Sequence, residues 1–172
     1  MDFEYAALLA LHSLRRSEIM AVAQTAGSVD GEKKVIHVRG AVVPDENHKF
    51  VLKETNKNKT SRRDVPFMIP RIAELAAAGA TISEGSPNTL THRINRVCAA
   101  NGLPEVGTHG LRRSFASLAY HLGWPERYTM KIGGWADAKT MHKIYIKLSE
   151  ADEAKQVKSM EEFYSEESVA KA

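Results

Sequence analysis

The stretch THGLRRSF at residues 108–115 decides how this chain folds and which chemistry it can carry. Apolar residues recur at helical spacing from Leu111 to Leu122, which predicts an amphipathic helix with one buried face. His109 and Arg112 are three positions apart, so they share a face of that helix. An imidazole beside a guanidinium fork at the start of a helix forms a phosphate-binding pair.

Length and composition bound the class of protein. The chain has 172 residues, enough for one domain with a hydrophobic core. No apolar run approaches the roughly 20 residues of a membrane span. The single cysteine, Cys98, excludes an intrachain disulfide and fits a reducing, cytoplasmic setting. Because no CxxC or HxxxH pair is present, we expect no bound metal.

Basic residues are concentrated in one part of the chain, although the net charge is only +3. Residues 33–63 hold nine Lys and Arg against three acidic residues, whereas residues 150–172 hold seven acidic residues against three Lys. A basic stretch of this kind attracts a nucleic-acid backbone. It is equally typical of a solvated charged face, and composition alone leaves both readings open.

The hydrophobic pattern predicts a mostly α protein of the α+β class, in which a helical bundle carries a small three-stranded antiparallel sheet. The three strands are expected from β-forming residues between positions 34 and 67, with turns near 44–47 and 56–61. Ser13 is expected to cap the second helix. The predicted helices span residues 2–12, 14–23, 69–79, 87–101, 108–122, 125–133, 137–147 and 152–164.

Five short motifs follow one another along the chain: SLRRSE at 13–18, the lysine-rich NKNKTS at 56–61, THGLRR at 108–113, GGW at 133–135 and KIY at 143–145. Their order and spacing resemble the catalytic domain of the tyrosine recombinases, the phage-integrase family. The resemblance extends over nearly the whole chain and implies the tyrosine-recombinase catalytic-domain fold. Ser13 departs from the family pattern, which usually has Gly there.

The resemblance implies a role for each matching residue. Arg15 and Arg112 would bind the non-bridging oxygens of a DNA phosphate and stabilise the charge that develops there. Tyr145 would be the nucleophile, with His109 as its base or hydrogen-bond partner. Trp135, where many members have His, would donate its indole N–H to the phosphate and pack against the nucleophile helix.

A lysine between the second and third predicted strands would protonate the leaving 5′ oxygen. Lys57 matches the family position, and Lys59 competes with it for the role. No metal or ATP is required, since two arginines and a lysine supply the charge and the phosphotyrosine conserves the bond energy. Further DNA-binding contacts are expected from Lys53, Lys59, Arg62, Arg63 and Arg113.

We expect a single catalytic domain over residues 1–172, with a core of about 1–149 and a tail helix within 150–172. The tail helix packs either on its own domain or on a neighbouring subunit. The family's N-terminal core-binding domain is expected to be absent. The expected partners are double-stranded DNA attachment sites and further copies of the chain, as a tetramer on DNA, whereas the fragment alone would be a monomer. The expected location is the cytoplasm of a bacterial host, with the protein bound to the nucleoid.

The function implied by the resemblance is site-specific recombination by an integrase of a phage or mobile element. Two alternatives remain: a type IB topoisomerase, which shares the chemistry but relaxes DNA, and a catalytically inactive DNA-binding or regulatory relative. The sequence specifies neither the target DNA nor the balance of integration and excision.

Overall fold

The computed structural model describes residues 3–53, 62–83, 85–145 and 157–158. Within these ranges the chain forms seven helices and five short strands. The helices are α1 (Glu4–Leu11), α2 (Arg16–Gln24), α3 (Pro70–Ala77), α4 (Pro87–Ala100), α5 (Gly107–His121), α6 (Glu126–Gly133) and α7 (Ala138–Tyr145). The strands are β1 (Val29–Asp30), β2 (Val35–Val38), β3 (Ala41–Pro44), β4 (Phe50–Lys53) and β5 (Arg63–Pro66).

The predicted fold class is confirmed, and each helix predicted before residue 137 lies within a few residues of its expected position. The strand arrangement differs from the prediction. A three-stranded antiparallel sheet has the order β1-β2-β5, and β3 pairs with β4 as a separate hairpin. The chain leaves the first sheet at Arg39 and Gly40, so the apolar run that looked like one strand divides into β2 and β3.

The core lies between α1, α5 and the inner face of the three-stranded sheet. Leu9, Leu14, Ile19, Ile36 and Leu90 are fully buried there. Helix α5 packs along α1 and also contacts α4 and α7. The first turn of α5 thereby lies next to the start of α2 and the side of α4.

Helix ends are specified by local chemistry. At the start of α4, the Ser86 hydroxyl accepts a hydrogen bond from the Thr89 backbone N–H at 3.3 Å, and Pro87 occupies the first helical position. Helix α6 ends at Gly134, whose φ of 65° is in the left-handed region that glycine tolerates. These signals explain why the sequence-based boundaries of α4 and α6 were close.

The expected cap at Ser13 is wrong, because Arg15 occupies the N-cap position of α2 and Glu18 accepts its backbone N–H. Ser13 instead adopts a φ of 89°, a conformation that favours glycine. Its hydroxyl donates to the backbone carbonyl of Ile132 at 3.3 Å, which joins the α1–α2 turn to α6. The departure from the family's glycine therefore falls at a position that needs positive φ.

Two predicted features lie outside the described residues: the hairpin lysines Lys57 and Lys59, and the tail helix apart from residues 157–158. In the part of the chain that is described, no helix has both the length and the apolar character required to cross a membrane.

Candidate active site

A cleft of about 720 Å³ opens between the start of α2, the side of α4 and the first turn of α5. It brings together four of the six residues predicted to be catalytic, although they are up to 120 positions apart in the sequence. The residues around it include Arg15, Arg16, Ser17, Thr91, Asn95, Glu105, Thr108, His109, Arg112 and Trp135.

Arg112 lies at the floor of the cleft and is 3% exposed. Its Nη1 donates to the Ser13 carbonyl, and its Nη2 donates to the Gly133 carbonyl at 2.7 Å. Burial is the main cause that lowers the pKa of Arg112 to about 9, and the positive charge of Arg15 is the second. The guanidinium therefore stays charged at neutral pH. A buried charge in this position favours the approach of an anion.

Arg15 extends from the start of α2 towards the same place and is more exposed than Arg112. Its Nη1 donates to Glu18 Oε1 at 2.6 Å, and its Nη2 donates to the Gly134 carbonyl at 2.6 Å. Burial opposes ionisation of Glu18, but hydrogen bonds and charges from Arg63 and Arg15 outweigh it and lower the pKa of Glu18. The carboxylate therefore remains charged in the interior.

The C-terminal end of α6 is held by three guanidinium groups. Arg63 Nε donates to the Ile132 carbonyl at 2.7 Å, Arg112 to Gly133 and Arg15 to Gly134. Carbonyls at a helix C-terminus lack partners within the helix and carry partial negative charge, so cations are favoured there. This junction leads within four residues into α7, so the three arginines bind the chain just before the helix that carries Tyr145.

Two consecutive glycines make this close approach feasible. A Cβ at Gly133 would lie 1.8 Å from the Trp135 ring. A Cβ at Gly134 would lie 2.7 Å from Arg63 Nη1, and Gly134 also has a positive φ. The Gly133-Gly134 pair therefore provides the space that the arginines and the tryptophan occupy.

Trp135 forms one wall of the Arg112 site. The guanidinium carbon of Arg112 lies 4.2 Å from the ring centroid, a distance typical of a cation–π contact. The ring also stacks on Phe115, with centroids 6.2 Å apart and planes inclined by 9°. Trp135 therefore fixes the plane of Arg112 against α5.

His109 stands in the first turn of α5, exposed at the cleft. Partial burial, and next the charges of Arg113 and Arg112, lowers the pKa of His109, so its imidazole is neutral at pH 7. The turn is held by Asn95 of α4, whose Oδ1 accepts the Gly107 N–H at 2.9 Å. A neutral imidazole at this position can accept a proton.

Apart from Lys57 and Lys59, which lie outside the described residues, the remaining predicted residues divide into three groups. Tyr145 is the last described residue of α7, and nothing is described of its side chain. Lys53, Arg62 and Arg113 are exposed at the surface. Arg63, in contrast, is 7% exposed and its charge is paired with Glu18, so it is removed from the set expected to contact DNA directly.

The sequence did not predict the buried pairing of Arg63 with Glu18 or the role of the α6 carbonyls. The spacing of Arg15 and Glu18 across the first turn of a helix is a signal for a local pair. In strand β5, Arg63 alternates with Asp64 and so shares a face with the buried Val65. That alternation could have placed Arg63 in the interior. Among the residues that the structure describes, no group of His, Cys, Asp or Glu is arranged to hold a metal ion.

Comparison with known proteins gives consistent results. The phage integrase family model matches residues 15–152. The Tn1549 transposon integrase in complex with circular intermediate DNA is similar in structure, with a TM-score of 0.69 and 16% identity over 82% of this chain and 54% of that chain. XerA recombinase is similar with a TM-score of 0.57 and 17% identity over 81% of this chain and 51% of that chain.

At these identities the structural likeness establishes the fold alone. The chain spans about half the length of both structures. No curated protein sequence matches the chain.

Proposed function

The chain belongs to the phage integrase family of tyrosine recombinases, and from that premise we propose that it cleaves and rejoins DNA strands through a 3′-phosphotyrosine intermediate. The observation that carries the proposal is the convergence of Arg15, Arg112 and His109 on one cleft. Two cations and a neutral base at one site suit a substrate that is anionic and a reaction that moves a proton.

In the proposed reaction, the Tyr145 oxygen attacks phosphorus and the bond from phosphorus to the 5′ oxygen breaks. The tyrosine, with a reference pKa of about 10, gives its proton to His109. Charge builds on the non-bridging oxygens, where the N–H groups of Arg15 and Arg112 stabilise it. Lys57 or Lys59 protonates the leaving 5′ oxygen.

Rejoining is the same reaction in reverse, with a 5′ hydroxyl from either the same or another strand as nucleophile. Since the phosphotyrosine conserves the energy of the broken ester, no ATP is consumed. The guanidinium groups supply the charge stabilisation that divalent cations give in many nucleases, so the proposed reaction is independent of metal. Trp135 contributes by holding Arg112 in place.

The proposed substrate is double-stranded DNA at the attachment sites of a phage or other mobile element, in a bacterial cytoplasm. Lys53, Arg62 and Arg113 are exposed and suited to phosphate contacts along the duplex. Strand exchange between two duplexes requires several copies of the protein, and a tetramer on DNA is the proposed assembly. The Tn1549 integrase, which has the same fold, was solved in complex with DNA.

Trapping on nicked suicide duplexes tests the proposal. The protein is incubated with a pool of nicked duplexes in EDTA, and covalent adducts are separated on a denaturing gel. We expect an adduct that forms without metal and is absent in Tyr145→Phe. In Arg112→Gln the rate of adduct formation should fall by about a hundredfold or more, as for other preorganised oxyanion donors.

Arg71→Gln is the matched control, since Arg71 is an exposed arginine paired with Glu4 and Glu74 away from the cleft. It should form adduct at the unsubstituted rate. An adduct that survives in Tyr145→Phe would refute the assignment of the nucleophile. A requirement for divalent metal would refute the proposed chemistry. Transfer of the trapped strand to a second duplex would distinguish recombination from relaxation of one duplex.

A further inference from the structure

Arg63 is an arginine of the basic stretch whose side chain is buried instead of facing the cleft. Its side chain is 5% exposed and forms a two-pronged pair with Glu18. Nη1 donates to Oε1 at 3.0 Å, and Nη2 donates to Oε2 at 2.9 Å. Such fork-to-fork pairs are the strongest geometry for an arginine and a carboxylate.

Glu18 also contacts the cleft arginine. Its Oε2 accepts the backbone N–H of Arg15 at 2.8 Å, and its Oε1 accepts Arg15 Nη1 at 2.6 Å. One buried carboxylate thus stands between two guanidinium groups, Arg15 on the cleft side and Arg63 on the sheet side. Without Arg63, Arg15 would be the guanidinium left hydrogen-bonded to Glu18.

We propose that Arg63 is a positioning residue that neutralises Glu18 and so leaves the charge of Arg15 available to a phosphate in the cleft. The proposal rests on the proposed function, because the phosphate in question is that of the DNA substrate. Glu18 then orients Arg15 through two hydrogen bonds without cancelling its attraction for an anion. Arg63 acts through this pair and touches no substrate atom.

The surroundings of Arg63 keep it in this role. Its Nε donates to the Ile132 carbonyl at 2.7 Å, so the guanidinium is fixed at the end of α6. Its Nη1 lies 2.7 Å from where a Cβ on residue 134 would be, too close for an alanine without a shift, so the glycine at that position makes room for the guanidinium. The same end of α6 receives Arg15 and Arg112, which gathers all three cations at one helix end.

The test measures affinity for inorganic phosphate at low ionic strength in the full chain. NMR titration would follow the Trp135 indole N–H and the Arg15 Nε–H. Arg63→Met removes the charge but keeps a side chain of similar length, and we expect it to weaken phosphate binding at least tenfold, as truncation of a buried charge pair does. Glu18→Gln/Arg63→Met removes both charges and should bind within about fivefold of the unsubstituted chain, because Arg15 then faces no uncompensated carboxylate and the amide oxygen keeps one of the two acceptors that orient Arg15.

Arg71→Met, which disrupts an exposed pair with Glu4, is the control for loss of an arginine elsewhere and should leave phosphate affinity unchanged. If Arg63 only stabilises the fold, the double variant should bind phosphate as weakly as Arg63→Met. That result would overturn the proposal. Unchanged affinity in a folded Arg63→Met, or no phosphate binding by the unsubstituted chain, would overturn it as well. If Arg63→Met does not fold, the double variant decides alone, and a tenfold loss there counts against the proposal.

The trapping experiment separates this inference from the proposed function. If the unsubstituted chain forms the adduct and Arg63→Met does not change phosphate binding, the proposed function stands and the role of Arg63 is refuted. If Arg63→Met weakens phosphate binding but the unsubstituted chain forms no adduct, the role of Arg63 stands and the proposed recombinase activity is refuted.

Discussion

Two ion-pair clusters lie on opposite faces of strand β5 and contain adjacent residues. On the inner face, Arg63 pairs with Glu18, and both side chains are almost fully buried. On the outer face, Asp64 accepts from His37 Nδ1 at 2.8 Å and from Arg39, and its side chain is 56% exposed. The two clusters have similar chemistry but differ in access to water.

Access to water decides what each cluster can do. Exposed pairs compete with solvent and salt, so the outer cluster contributes little to stability. Buried charges are costly unless paired, so every member of the inner cluster depends on the others. The inner cluster also contacts Arg15 and the end of α6, which links the sheet to the cleft. Strand β5 therefore carries an exposed ion-pair cluster on one face and part of the candidate active site on the other.

The largest expected difference between the two faces comes from removal of the carboxylates. Glu18→Ala leaves two buried or half-buried arginines without their counter-ion, and we expect a loss of about 3–5 kcal/mol in the free energy of unfolding. Asp64→Ala should cost less than about 1 kcal/mol. Urea denaturation of the two variants measures both values. Equal losses would mean that burial does not distinguish the clusters.

A glycine substitution probes the space in which the inner cluster sits. Gly134→Ala imposes left-handed strain of about 1–2 kcal/mol and adds overpacking of about 1–3 kcal/mol against Arg63. Gly123 has a similar φ of 70° and nothing within 4 Å of an added Cβ, so Gly123→Ala carries the strain alone. In thermal unfolding, the midpoint temperature of Gly134→Ala should be lower than that of Gly123→Ala. The same midpoint in both would show that the approach of Arg63 to Gly134 costs nothing to disturb.

The pattern of residues predicted much of this arrangement, and the limits have a physical cause. The helical period located α5, and the three-residue spacing placed His109 and Arg112 at one cleft. The role of α6 could not be foreseen, because its contribution is three backbone carbonyls that receive bonds from arginines 21 to 119 positions away. Every residue has a backbone carbonyl, so the order of side chains in the sequence does not indicate which carbonyls accept these hydrogen bonds. Strand β1 was missed because two residues are too few to show alternation.

Acid should affect the two faces to different extents. The pKa values of Glu18 and Asp64 are both lowered in the folded state, so each carboxylate contributes stability above its unfolded pKa of about 4 and loses it as the pH falls through the lower folded pKa. Water screens the exposed Asp64. Glu18→Gln should therefore flatten the decline of unfolding free energy between about pH 5 and 3 more than Asp64→Asn does. Parallel curves for the two variants would contradict this ranking.

The smallest expected effect concerns His109, which has cationic neighbours in the cleft whereas the outer-face His37 has a carboxylate beside it. Partial burial and the charges of Arg113 and Arg112 lower the pKa of His109 below its reference of about 6.5. Arg113→Gln removes one of those charges and should raise the pKa by a fraction of a unit, measured by NMR titration of the imidazole with His109→Gln to assign the signal. Arg39→Gln, next to the outer cluster, should leave the His109 titration unchanged. A His109 pKa that does not respond to Arg113→Gln would mean that burial and Arg112 lower this pKa without Arg113, and the proposed base would then be independent of the charge of Arg113.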